Sequence, residues 1–289
     1  AITTASNITA VGFQALSENT SGANGVAVGK HALKLNTTGS NNCAVGLAAL
    51  TACTTGDEST ACGTGALASV TTSNNNTGFG RAAGSAVSTG HSNILVGAFA
   101  GDGLTTANNC IFIGRDATES AVGTSNQTVL GTGVTCVGDS NFTFGGGSTD
   151  SNIAFGATSI SAPSDQRYKE EIADATAGLS FIKDLRPVTF KWKKEKDLPT
   201  SHRAYVEGSE TRTVNDYINH GFIAQEVKTV IDAHSEIKNG FDMWCTDSQD
   251  NGGRQRLADG ALIPMLVKSL QELSAKNDAL EARIATLEG

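Results

Sequence analysis

Along the first 134 residues a short apolar run returns at a fixed interval. Gly12, Gly29, Gly46, Gly63, Gly80, Gly97, Gly114 and Gly131 lie 17 residues apart, each preceded by Val11, Val28, Val45, Cys62, Phe79, Val96, Ile113 or Leu130. Three residues after the glycine stands Ala in the first seven units, from Ala15 to Ala117, and five residues before it stands Asn in six of the eight. The unit reads N-x-[T/V/I]-A-[V/I]-G-x-x-A-L and continues into a polar stretch such as Asn36-Thr37-Thr38-Gly39. This is the pattern of one solenoid coil, which cannot bury its apolar edge until a neighbour stacks on it. Glycine supplies the backbone freedom for a corner, alanine fits where coils crowd, and asparagine suits turns and ladders between coils. With coils about 4.8 Å apart, eight of them make a body about 40 Å long. So much Gly and Asn disfavours a helical repeat, and strict periodicity of the apolar positions is not expected of a disordered linker.

The register then breaks. Gly145 and Gly156 follow at intervals of 14 and 11, in the echoes Asn141-Phe142-Thr143-Phe144-Gly145 and Asn152-Ile153-Ala154-Phe155-Gly156. Residues 135–163 therefore read as a tapering neck of shortened repeats with a linker, after a solenoid over 1–134. From Ser164 the pattern changes. A helical spacing runs through Leu179, Ile182 and Leu185 and halts at Pro187, Val188 to Trp192 alternates as a strand does, and Gly221 to Val227 enters another helix. The expected fold is a mainly β solenoid followed by a small α+β domain over 164–289, ending in a coiled-coil helix over 262–289.

Composition sharpens the break at 161/162. Residues 1–161 hold 25 of the 33 glycines but 12 of the 50 charged residues (21 basic plus 29 acidic). The net charge of −8 divides into −4 on each side, so neither half is a basic module for nucleic acid. No run of 18 apolar residues is present to insert in a bilayer, and no signal peptide opens the chain. The chain begins at Ala1 rather than Met, which reads as a fragment or a processed product.

Units such as Asn24-Gly25-Val26-Ala27-Val28-Gly29 and Asn41-Asn42-Cys43-Ala44-Val45-Gly46 resemble the left-handed parallel β-roll repeats of trimeric autotransporter adhesin heads and of some phage tail fibres, although 17 residues exceeds the adhesin coil. Four landmarks further on resemble the C-terminal intramolecular chaperone of phage endosialidases, tailspikes and tail fibres. They are Ser164-Asp165-Gln166-Arg167-Tyr168-Lys169, Arg186-Pro187-Val188-Thr189-Phe190-Lys191-Trp192, Gly221-Phe222-Ile223-Ala224-Gln225-Glu226-Val227, and the terminal helix opening Leu262-Ile263-Pro264. Tyr168 stands where many members carry Leu. A related self-cleaving domain occurs in membrane-tethered transcription factors, whose basic module and membrane span have no counterpart here.

The resemblance implies autoproteolysis of the Pro163–Ser164 bond, with Ser164 as nucleophile and Lys169 as base. A serine hydroxyl needs an adjacent base near neutral pH, and lysine serves only where burial makes its neutral form accessible. Five residues along a helix would place the two side chains about 140° apart, so the segment must be nonhelical or the pair must form between chains. Taken alone, Ser164-Asp165 reads as the cap of a following helix.

In the last segment Leu266, Leu270, Leu273, Asn277, Leu280, Ile284 and Leu287 alternate spacings of four and three, a three-heptad seam with Asn277 at an a position. The plainer alternative is an amphipathic helix packed on its own domain. Mixed a residues over leucine at d fit a dimer, whereas the resembled families are trimers; the homotrimer is the expectation, because three side-by-side solenoids joined by a three-helix clamp close symmetrically.

Cys43, Cys53, Cys62, Cys110, Cys136 and Cys245 show no metal-ligand spacing and read as buried thiols, and the five histidines form no metal motif. No metal or cofactor is expected, and Trp192 and Trp244 read as core. The function these features imply is a phage tail-fibre or tailspike segment. It binds a host-surface glycan or protein receptor, is made in the host cytoplasm and resides in the virion tail, and its chaperone trimerises the chain and then releases itself. The alternatives are a trimeric bacterial adhesin that keeps its C-terminal domain, and a polysaccharide depolymerase with active sites between chains.

Overall fold

The computed structural model describes residues 4–147, 149–162, 164–238, 241–246 and 255–288. The chain divides into two compact units, Ala1–Lys169 and Glu170–Gly289.

The first unit is a β-solenoid of 17-residue coils. Strands β1 (Thr9–Val11), β2 (Val26–Val28), β3 (Cys43–Val45), β4 (Thr60–Cys62), β5 (Thr77–Phe79), β6 (Ile94–Val96), β7 (Ile111–Ile113) and β8 (Thr128–Thr132) stack in parallel, each residue opposite the one 17 positions on. The corner glycines are fixed twice over. Their φ angles run from 129° to 145°, and a Cβ at Gly46 would lie 2.5 Å from the carbonyl oxygen of Gly63 one coil away. The asparagine five residues earlier takes the left-handed conformation too, at φ 58° in Asn7 and 54° in Asn24. Asn7 Nδ2 donates to Asn24 Oδ1 (3.0 Å) and Asn24 Nδ2 to Asn41 Oδ1 (2.9 Å), the ladder that the repeat predicts.

Stacking does not bury Cys43 and Cys62, which the sequence reads as buried thiols. In β2 to β8 the second residue points inward, from the fully buried Ala27 to the fully buried Val129, together with the turn alanines and Leu33, Leu50 and Leu67. The apolar residue before each glycine stays on the outer face, half-buried or exposed, as do Cys43 and Cys62. The physical reason is strand alternation: one face of each strand fills the narrow interior and the other cannot reach it. Inside, volume is exchanged between columns. Where Ala27, Ala44 and Ala61 are small, the turns carry Leu33, Leu50 and Leu67; where Leu95 and Phe112 enter from the strand, the turns carry Gly84 and Gly101. A Cβ on Gly101 would lie 2.7 Å from Leu95 and 3.2 Å from Phe112, so the leucine of the earlier coils has no room there.

The first shortened echo remains a coil: β9 (Asn141–Gly146) lies parallel on β8 with Gly131 opposite Gly145. The second does not. Strand β10 (Thr149–Ala154) turns back antiparallel on β9, pairing Ala154 with Asn141, and Asn152 bridges to Ser161. Eleven residues are too few for another circuit, so the chain closes the sheet with a hairpin.

In the second unit, helix α1 (Leu179–Asp184) leads to β11 (Val188–Phe190), which pairs antiparallel with β12 (Asn219–Gly221). Helix α2 (Ala224–Ala233), the β13 (Trp244–Thr246) and β14 (Gln255–Leu257) pair and helix α3 (Leu262–Glu288) follow. Their core is Ala177, Phe181, Leu185, Val227, Ile231, Met243 and Leu262, with Trp244 packed against it. Glu272 of α3 accepts the Leu179 N–H at 3.0 Å and so caps α1 from a distant part of the chain. No helix among the described residues is long and apolar enough to cross a membrane.

Candidate functional site

Ser164 and Lys169 meet within one chain, with Lys169 Nζ 2.7 Å from Ser164 Oγ. The local backbone explains how. Asp165 is extended (φ −70°, ψ 134°), residues Gln166–Tyr168 form a single 3-10 turn, and Lys169 is extended again (φ −122°, ψ 138°) with its N–H donating to the Gln166 carbonyl. One tight turn between two extended residues reverses the chain enough for the side chains to converge, which a continuous helix would not do.

Asp165 starts that turn. Its Oδ1 accepts the Arg167 N–H at 2.8 Å, and the Arg167 guanidinium grips both its oxygens. Those hydrogen bonds hold the Asp165 carboxyl below the usual carboxylate range. Capping thus belongs to Asp165, and the Ser164 hydroxyl is left to Lys169. Ser164 and Lys169 are both exposed in the single chain. Pro163, on the other side of the expected scissile bond, lies outside the described residues.

The seven expected seam residues lie on α3, and Asn277 with its six apolar partners is exposed. A different stripe of the same helix, Leu262, Met265, Ser269 and Glu272, packs on the unit. The seam is therefore not the face by which α3 holds its own domain, and beyond Leu273 every described residue of the helix is exposed. Among the described residues no group of three His, Cys, Asp or Glu is placed to hold a metal ion.

Two features escaped sequence reading. His234 sits between two carboxylates, Nε2 3.0 Å from Asp184 and Nδ1 3.0 Å from Glu236, with Phe181 edge-on to its ring. These hydrogen bonds, Glu236 first, raise its pKa above the ordinary value. Trp192, expected in the core, is 40% exposed and lines an open cleft with Lys193, His202, Arg203 and Arg256.

Residues 164–236 match a family model described as the chaperone of endosialidase. The match begins at Ser164 and takes in Lys169, α1, β11, β12 and α2. No curated protein and no solved structure matches the chain.

Proposed function

We propose that the chain is a tail-fibre or tailspike segment whose residues 164–289 bring copies together, as a trimer, and are then released by cleavage before Ser164. The carrying observation is that a match to the endosialidase chaperone family begins at the very serine whose hydroxyl lies 2.7 Å from a lysine amine. A β-solenoid followed by such a segment fits this type of protein.

The chemistry balances with one water. Neutral Lys169 takes the Ser164 Oγ proton as Oγ bonds to the Pro163 carbonyl carbon. The carbon–nitrogen bond breaks, Lys169 returns the proton to the departing Ser164 amine, and water hydrolyses the resulting ester to a Pro163 carboxylate and a free Ser164 hydroxyl. The pair is exposed in one chain, and in this reading assembly is the event that buries it, so that cutting follows alignment. The solenoid then displays the surface that meets a host glycan or protein receptor on the virion tail.

The value of such a clamp is kinetic. Copies must be aligned while many parallel, nonlocal strand contacts form, and such contacts form slowly and leave sheet edges open. The test is intact mass spectrometry of freshly expressed protein. The proposal predicts fragments 1–163 and 164–289 from wild type and an uncut chain from Ser164→Ala; the same uncut chain from both would remove the dyad.

A further inference from the structure

The outer face of the solenoid sheet is apolar along its whole length. Two outward residues in each of eight strands give sixteen positions, one column being the residue before each corner glycine and the other running from Thr9 to Thr128. Twelve are apolar, four are threonine, and none is charged. Val11 and Phe79 are each 57% exposed and Leu130 is 48% exposed. Strands reading Val-Ala-Val, Ile-Leu-Val and Ile-Phe-Ile are the near-continuous apolar runs of parallel sheets covered on both faces, yet here the chain itself covers one. An exposed contiguous apolar strip of this kind marks an interaction surface.

Its shape selects the occupant. Eight rungs at about 4.8 Å and a width of two alternate residues make a strip about 40 Å long and 7 Å wide. A globular partner would touch part of it, whereas a second copy of this chain offers the same rungs at the same spacing from end to end. The exposed α3 seam points the same way, because identical heptads paired in parallel set like residues at like heights.

We propose that this strip is the seam along which copies of the solenoid pack, each coil against the equivalent coil. The inference rests on the assembly reading above and adds the face and the register. In-register packing brings Cys62 near Cys62 and Cys43 near Cys43, since both lie on the strip as free thiols.

The experiment treats the full chain, in a Cys245→Ser background, with a short bis-maleimide and maps the linked peptides, with light scattering on the same sample. The expected result is a multi-copy species whose links join Cys62 to Cys62 or Cys43 to Cys43. Val45→Asp, which places a carboxylate on the strip but outside each chain's own core, should leave the circular dichroism of the fold intact and weaken association at least about tenfold. A multi-copy species with no such links, or with Val45→Asp associating as wild type does, overturns the seam while leaving assembly through α3 standing. A single chain in light scattering overturns the assembly reading itself.

Discussion

Ser164 and Lys169 touch because a single 3-10 turn over Gln166–Tyr168, flanked by the extended Asp165 and Lys169, rather than a continuous helix, carries the backbone between them. Lys169→Arg keeps the charge but removes any accessible neutral form. It should slow release of the 164–289 fragment at least about 100-fold by mass spectrometry; cleavage at the wild-type rate would show that the amine is not the base. His234 gives a separate expectation. Its pKa is raised in the folded chain, so the stability it adds is fully present below the unfolded value near 6.5 and is lost as pH rises through the higher folded value. Thermal melting of the helical unit, followed in the uncut Ser164→Ala protein, should therefore weaken above about pH 6.5, and His234→Gln should flatten that dependence. At this scale the proposed pairing of Ser164 with Lys169 was suggested by its neighbours in sequence, and the asparagine turn ladder was legible from its period. The interior asparagines were not. Asn36 donates to the Gly39 carbonyl at 2.9 Å, and Asn42, in another column, takes over one coil later by donating to Gly56 at 2.6 Å. The donor column changes after Asn36, so each periodic run of interior asparagines, Asn19 and Asn36 and then Asn42, Asn76 and Asn93, is short and easily overlooked.

The strands and helices were largely readable, while the direction of their side chains was only half so. A three-residue strand with apolar residues on both faces does not say which face is inside. The deciding quantity is interior volume, seen in the exchange of Leu33, Leu50 and Leu67 for Leu95 and Phe112. Leu95→Ala should accordingly cost about 2–5 kcal/mol in a denaturation experiment, because Gly84 and Gly101 beside it carry no side chain to fill the cavity. Helix α3 shows the complementary case, with the heptad positions Leu266, Leu270 and Leu273 exposed and a separate stripe, Leu262, Met265 and Ser269, packed on its unit. Leu273→Ser with Leu280→Ser should leave the melting of the helical unit in the uncut protein nearly unchanged at high dilution and reduce association in analytical ultracentrifugation. Loss of the unit's fold instead would assign those leucines to intrachain packing.

At the scale of the molecule, a break in composition near residue 161 lies close to the division into a glycine-cornered stack and a charged α+β unit. The second echo misled because Asn152 to Gly156 copies the motif without enough chain for a circuit, and the strand reverses instead. The proposed division of labour sets residues 164–289 as the unit that aligns the solenoids and then leaves. A chain lacking 164–289 should fail to form a soluble multi-copy solenoid, whereas the same unit removed after assembly should leave one intact. Native mass spectrometry of the freshly expressed full chain tests this most directly. The account predicts three copies of residues 1–163 held together after the cut, and three uncut chains for Ser164→Ala; a single uncut chain in both samples would contradict it.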